Sequence, residues 1–263
     1  MTNKLPFIVI IPGASQNPAH YGHLSHLLLL AGYPVLTALL PTIAAKGPVT
    51  IDDDASYIRE RLLLPVLDYE ERNVVMLMHS YGSVPGSASA HGLGPSSRLA
   101  QGKTTAVLGQ LFFATLLLKG GDGKTAVDAF GGAFPAHIEP DHAHNLLRAP
   151  SPLRIPTLYS GVPGPLADSA AASTLPQGMH AFCTPVPATS WANDEYVGRV
   201  ACIRTTEDRA IPLDMQQKML EESGVQWIVR DVEAGHSPQL SRAEELARVV
   251  GEIVGMLTGE EEG

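Results

Sequence analysis

With 263 residues, 44% of them hydrophobic, the chain is long enough for one large α/β domain with its own core and too short for a second independent domain. A formal net charge of −9 with no basic run argues against nucleic acid and anionic membranes as partners, and favours a small neutral or weakly charged substrate. No segment reaches the roughly 18 consecutive apolar residues of a membrane helix and the N-terminus lacks a signal peptide's sections, so a cytoplasmic protein is expected, with Cys183 and Cys202 as thiols.

The first predicted element is the apolar, β-branched strand Phe7–Ile11, which runs into Pro12, Gly13, Ala14 and Ser15. Residues 20–31 read as a helix and 34–38 as the next strand. Residues 51–71 read as a long helix, with Thr50 near its cap and Asp52, Asp53 and Asp54 in the first turn, where they complement the helix dipole. The apolar run Val74-Val75-Met76-Leu77 is a buried strand leading into Met78-His79-Ser80-Tyr81-Gly82, and after a further helix residues 105–111 form another strand. This alternation predicts a mostly parallel sheet with helices on both faces.

From 117 to 191 the alternation is lost, and glycine, proline, alanine and histidine accumulate; an inserted cap over the active site is expected. Phe112, Phe113, Phe134, Phe182 and Trp191 are candidates for an apolar pocket wall, although packing between cap and core explains any one of them equally well. Two motifs in this stretch are set aside. Gly120-Gly121-Asp122-Gly123-Lys124-Thr125 ends like a phosphate-binding loop, but Leu118 stands where its leading glycine belongs. His137, Asp141, His142 and His144 lack the second ligand set of a zinc site, so no metal is expected. Strands are then predicted over 200–204 and 225–229, a last helix over 241–257, and a frayed acidic tail over 259–263.

Ser80 sits at the end of a buried strand, on the turn where a strained backbone would lift a nucleophile above the sheet. A serine hydroxyl needs an imidazole to take its proton, and the imidazole needs a carboxylate to hold its tautomer. His236, in the loop Ala234-Gly235-His236-Ser237-Pro238, is the candidate base. Asp208, in the loop leaving the 200–204 strand, is the candidate acid, with Glu207 in reserve. The amides of Ala14 and Tyr81 are the candidate oxyanion donors, Gly13 allows close approach, and Pro12 has no N–H to offer. Gly13 and Ser15 are expected to line the substrate pocket.

Ile10-Ile11-Pro12-Gly13-Ala14, Met78-His79-Ser80-Tyr81-Gly82, Thr206-Glu207-Asp208 and Gly235-His236, in this order, resemble the α/β-hydrolase superfamily over nearly the whole chain. The likeness is to its small methylesterase, hydroxynitrile lyase and pyrethroid-hydrolase group, and it implies an α/β-hydrolase fold with an inserted cap. The chain departs from the group's pattern at Pro12, Met78 and Ser83, where the group has histidine, glycine and glycine. Positions 13 and 237, threonine and lysine in the lyase branch, are Gly13 and Ser237 here, which disfavours cyanohydrin cleavage. The resemblance implies a cofactor-free serine hydrolase of a carboxylic ester, thioester or lactone, possible as a homodimer. A carbon–carbon lyase or cyclase on the same fold and a ligand receptor with an idle triad are the alternatives.

Overall fold

A computed structural model describes residues 4–259; residues 260–263 of the expected acidic tail lie outside the described residues. Six parallel strands form the central sheet: β1 (Phe7–Ile11), β2 (Val35–Thr37), β3 (Val74–His79), β4 (Val107–Phe113), β8 (Val200–Thr205) and β9 (Ile228–Val232). Their order is β2-β1-β3-β4-β8-β9, with β3 and β4 at the centre and β1 beside β3 in the register Ile11 opposite Met78. β1 is apolar throughout and β3 is apolar up to His79, because both of their faces are covered. Side chains alternate across the sheet. Val9, Ile11, Met76 and Met78 join one core with Ile51, Ile58 and Val84 of the helices Ile51–Ile58 and Ser83–Ser89. Ile8, Ile10, Val75 and Leu77 join the other, with Leu24 and Leu28 of the helix Gly22–Leu30 and Leu246, Val250 and Ile253 of the helix Ala243–Thr258.

The expected α/β-hydrolase fold is therefore present, and the differences from expectation are local. The long helix predicted over 51–71 is α-helical only to Ile58, then widens into π turns over Arg59–Leu63 and Pro65–Tyr69. Pro65 has no N–H and its ring crowds the preceding turn, and the wider turn accommodates it. Asp53 closes a capping box with Thr50, as a first-turn acid should, but Asp54 turns inward and is fully buried. β4 lies two residues later than predicted, and β9 three.

The stretch between β4 and β8 contains a small antiparallel sheet of β5 (Glu139–Asp141), β6 (Leu146–Arg148) and β7 (Gln177–Gly178), with the helices Ser151–Leu158 and Gly164–Ala172. A bridge between Ile43 and Gln177 ties it to the loop after β2. Within it, Thr125 caps the short helix Ala126–Ala129, and Asp141 pairs with His144 at 2.9 Å and Arg148 at 2.8 Å. No helix among the described residues is long and apolar enough to cross a membrane.

Candidate active site

β3 ends at His79, and Ser80 opens a 3-10 turn, Ser80–Gly82, that passes directly into the helix Ser83–Ser89. Ser80 has φ +50°, the left-handed conformation that lets its hydroxyl project from the strand end. Gly82 is needed because β1 comes so near: a Cβ there would lie 2.4 Å from the Pro12 carbonyl oxygen and 2.7 Å from that of Ile11. Met78, the departure at the first elbow glycine, is accommodated by Gly86 one helix turn further on, where a Cβ would meet the Met78 sulfur at 2.5 Å. At the third departure, the Ser83 hydroxyl donates to the Ser80 carbonyl at 2.7 Å and accepts from Thr115 at 2.5 Å, which braces the turn.

His236 Nε2 stands 3.0 Å from Ser80 Oγ, and its Nδ1 stands 2.9 Å from Asp208 Oδ2. The other Asp208 oxygen accepts the amides of Ala210 at 2.8 Å and Ile211 at 2.9 Å, and Thr205 Oγ1 donates to Oδ2 at 2.9 Å. Burial alone would raise the Asp208 pKa, but the facing His236 and these donors together hold it below the ordinary carboxylate value. Glu207 is exposed and takes no part. A Cβ at Gly235 would lie 2.5 Å from the Ser160 carbonyl oxygen, so the His236 loop packs directly on the insertion.

In the loop after β1, the Gly13 amide donates to the Tyr21 hydroxyl at 2.9 Å and the Ser15 amide to Gln177 Oε1 at 3.1 Å. Between these two committed amides, Ala14 N–H has no protein partner among the described residues. The Tyr81 amide belongs to the first turn after Ser80, where N–H groups lack intrahelical acceptors.

His79 is a residue that motif reading passed over. It is fully buried; its Nε2 donates to the His236 carbonyl at 2.9 Å, its Nδ1 lies 2.7 Å from the Tyr21 hydroxyl, and its ring stacks on Phe113 at 4.6 Å. Burial, with the charge of nearby His236, lowers its pKa to about 3, so it is a neutral strut. The adjacency of His79 to Ser80 was its only sequence signal. A second buried network runs under the elbow: Asp54 accepts from the Tyr81 hydroxyl at 2.8 Å and from Thr42 Oγ1 at 2.6 Å, and Gln177 Nε2 donates to Thr42 at 2.8 Å. Burial raises the Asp54 pKa to about 6 despite these donors.

Gly13, Ala14, Ser15, Ser80, Tyr81 and His236 line one cavity. Phe112, Phe113 and Trp191 do not, in contrast to the expectation for the pocket. Phe112 and Phe113 are the last residues of β4 and point to opposite faces of the sheet, Phe112 edge-on to Trp227 at 5.4 Å and Phe113 onto His79. Trp191 packs on Trp227 at 5.6 Å and donates to the Leu118 carbonyl. Of the expected aromatics Phe182, stacked on Tyr81 at 5.4 Å, does line the cavity and Phe130 joins it, while Phe134 stays outside beside the lining residue Pro135. The insertion also contributes His137, Arg154 and Tyr159 to the wall.

A strand-end serine on a left-handed turn, followed by a helix and faced by a histidine and an aspartate from the ends of later strands, is the arrangement of α/β-hydrolases. The sequence pattern of the alpha/beta hydrolase family matches residues 8–249, and the chain belongs to that family. It is 23% identical to "Probable hydrolase R7" of a Phoma species, over 95% of this chain and 99% of that protein. It is 22% identical to "Alpha/beta hydrolase nvfD" of Aspergillus novofumigatus, over 95% of this chain and 97% of that one. Among solved structures it is similar to a pyrethroid hydrolase from Sphingobium faniae JZ-2, with TM-score 0.70 and 21% identity over 95% of this chain and 97% of the other. Methylesterase MES16 from Arabidopsis gives TM-score 0.70 at 16% identity, covering 96% of this chain and 100% of its own.

Two outcomes test this architecture. Met78→Gly would restore the family's glycine but empty the space over Gly86, and is expected to lower stability by about 3 kcal/mol in urea denaturation rather than improve the elbow; an unchanged midpoint would show that Met78 is not wedged there. Asp54 keeps its proton in the folded chain up to pH about 6, while unfolding returns it to the ordinary 3.8. Between those pH values the unfolded chain releases a proton that the folded chain holds, so stability should fall as pH rises from about 4 through 6 and level off above. Asp54→Asn should flatten that segment of a pH series, and an identical slope in both proteins would contradict the raised pKa.

Proposed function

We propose that the protein is a serine hydrolase that cleaves a carboxylic ester, thioester or lactone of a small, partly apolar molecule. The observation that carries this reading is the unbroken line from Ser80 Oγ to His236 Nε2 at 3.0 Å and from His236 Nδ1 to Asp208 Oδ2 at 2.9 Å. Ser80 attacks the carbonyl carbon while His236 takes its proton, and Asp208 holds the Nδ1–H tautomer and stabilises the imidazolium. The oxyanion is received by the amides of Ala14 and Tyr81, which have no other partner among the described residues. As the carbonyl re-forms, His236 delivers its proton to the leaving oxygen or sulfur. Water, deprotonated by the same imidazole, then releases the acyl group from Ser80. Each of these steps is performed by side chains and amides of the chain itself.

Support for acyl transfer over cyanohydrin cleavage comes from the two positions that the lyase branch uses. A Cβ at Gly13 would lie 2.8 Å from His79 Nδ1, which leaves no room for threonine, and the Ser237 hydroxyl is committed to the Leu158 carbonyl at 2.8 Å. Neither position offers a cation to a departing cyanide. The chain's esterase-named structural relatives are consistent with the ester reading.

A fluorophosphonate probe is expected to label Ser80, and Ser80→Ala to abolish both labelling and hydrolysis of p-nitrophenyl acetate; modification at Ser15 or Ser237 instead would refute the assignment. Mandelonitrile should release no cyanide above background. Asp208→Asn is expected to reduce turnover by about ten-thousandfold, and Glu207→Gln to have little effect. The reverse ranking in steady-state kinetics would transfer the acid's role to Glu207. A folded wild-type protein inert to both probe and ester would point to a receptor or to a lyase of another kind.

A further inference from the structure

We propose that Arg154 is a specificity-determining residue that receives a carboxylate of the substrate, so that the molecule cleaved at Ser80 carries a free carboxylate away from its scissile carbonyl. This inference rests on the serine-hydrolase reading and narrows its substrate class. The chain has 27 acidic residues against 18 lysines and arginines. Yet the wall of the cavity around Ser80 contains two arginines and no aspartate or glutamate. The charge of the pocket is thus opposite to that of the molecule, which is the condition for drawing in and holding an anion.

The two arginines differ. Arg148 is largely exposed and already paired with Asp141 at 2.8 Å. Arg154 is half-buried on the helix Ser151–Leu158 and has no carboxylate partner among the described residues. Its Nη1 donates to the Ala171 carbonyl at 2.6 Å and also to Thr174 Oγ1, which fixes the guanidinium plane from one end. Nε is buried without any acceptor, and Nη2 has no hydrogen-bond partner among the described residues. Nη2–H is the end of the guanidinium fork left to donate to a carboxylate oxygen of a bound molecule. An unpaired donor on a half-buried cation is costly, and a ligand carboxylate would satisfy it.

Neighbouring groups fit the same ligand. Tyr159 is also on the cavity wall; its buried hydroxyl lies beside Gln16, and burial pushes its pKa up to about 12, so it brings no negative charge to repel an anion. Arg154 is one helical turn, about 6 Å, before Leu158, whose carbonyl accepts the Ser237 hydroxyl at 2.8 Å, directly after His236. The guanidinium is therefore on a wall anchored beside the reacting groups. The rest of the cavity, with Val84, Leu116, Leu147 and Phe182, suits a short hydrocarbon between ester and carboxylate.

The test uses the full chain and the mono-p-nitrophenyl esters of adipic, pimelic and suberic acids, each compared with its methyl-capped diester. At least one half-ester is expected to show a kcat/KM ten times or more that of its capped counterpart. Arg154→Gln should bring that ratio close to one, chiefly through KM, and Arg154→Lys, which keeps the charge but not the fork, should recover only part of it. Equal rates for all half-esters and diesters in the wild type, or a preference that survives Arg154→Gln, would overturn the proposal. Should Arg154→Gln fail to fold, the wild type decides: the free diacids should inhibit p-nitrophenyl acetate hydrolysis competitively and their diamides should not, and no inhibition by any diacid would refute the carboxylate site. Calorimetric titration of the diacids reads that site without turnover. A protein that binds a diacid but hydrolyses no ester would thus contradict the hydrolase reading alone, and one that hydrolyses p-nitrophenyl acetate without diacid binding would contradict the role of Arg154 alone.

Discussion

The hydrogen bond from the buried His79 imidazole to the His236 carbonyl ties the end of β3 to a loop far away in the chain. The strand carrying His79 also carries Ser80, so the bond holds the histidine loop at a set distance from the serine. The other ring nitrogen faces the Tyr21 hydroxyl, shared with Gln16, and the same hydroxyl accepts the Gly13 amide of the loop after β1. With its pKa near 3, His79 carries no charge into this dry region and keeps a single hydrogen-bonding pattern. A protonated imidazole there would face His236 and disturb the base.

Close approach of backbone to backbone is the second constraint, and it explains which of the departures from the family pattern are tolerated. Gly82 lies against the carbonyls of Ile11 and Pro12 and Gly13 against the His79 ring, so a side chain would displace a strand end at the first and the buried imidazole at the second. Position 78 is different, because its neighbour is a helix residue rather than backbone of another strand. A large side chain there needs only a glycine opposite, and Gly86 supplies it. Ser83 likewise substitutes a hydrogen-bonded brace for the missing glycine.

The segment between β4 and β8 supplies much of the cavity wall. The sheet and its strand-end loops supply Ser80, His236, Asp208 and the two amides, all suited to a generic acyl carbon. Arg154, Tyr159, His137, Phe130 and Phe182 come from the insertion, and Gln177 ties that insertion to the Ser15 amide and, through Thr42, to Asp54 under the elbow. The triad candidates and much of the cavity wall thus reside on different parts of the chain, in contact through the Ser15 loop and through Gly235 against Ser160.

The fold and the juxtaposition of Ser80, His236 and Asp208 were legible in the sequence because they depend on local signals: apolar runs for strands buried on both faces, a serine at a strand end, and an aspartate and a histidine after later strands. The choice of Asp208 over Glu207 could be read in the same way, and the structure brings Asp208 to His236 while leaving Glu207 in water. The pocket was legible only in part: Gly13, Ser15 and Phe182 line it as expected, and most of its other walls were not foreseen. Phe112 and Phe113 were placed beyond a strand that in fact contains them, and once in β4 their side chains had to pack into opposite faces of the sheet. His79, Arg154 and Tyr159 have no motif, since what sets each apart is a partner present or missing across 20 to 157 residues of chain. Local sequence determined where the strands end and which reactive groups stand there. Only tertiary packing, which brings distant loops together and leaves some polar groups unpaired, decided what surrounds them.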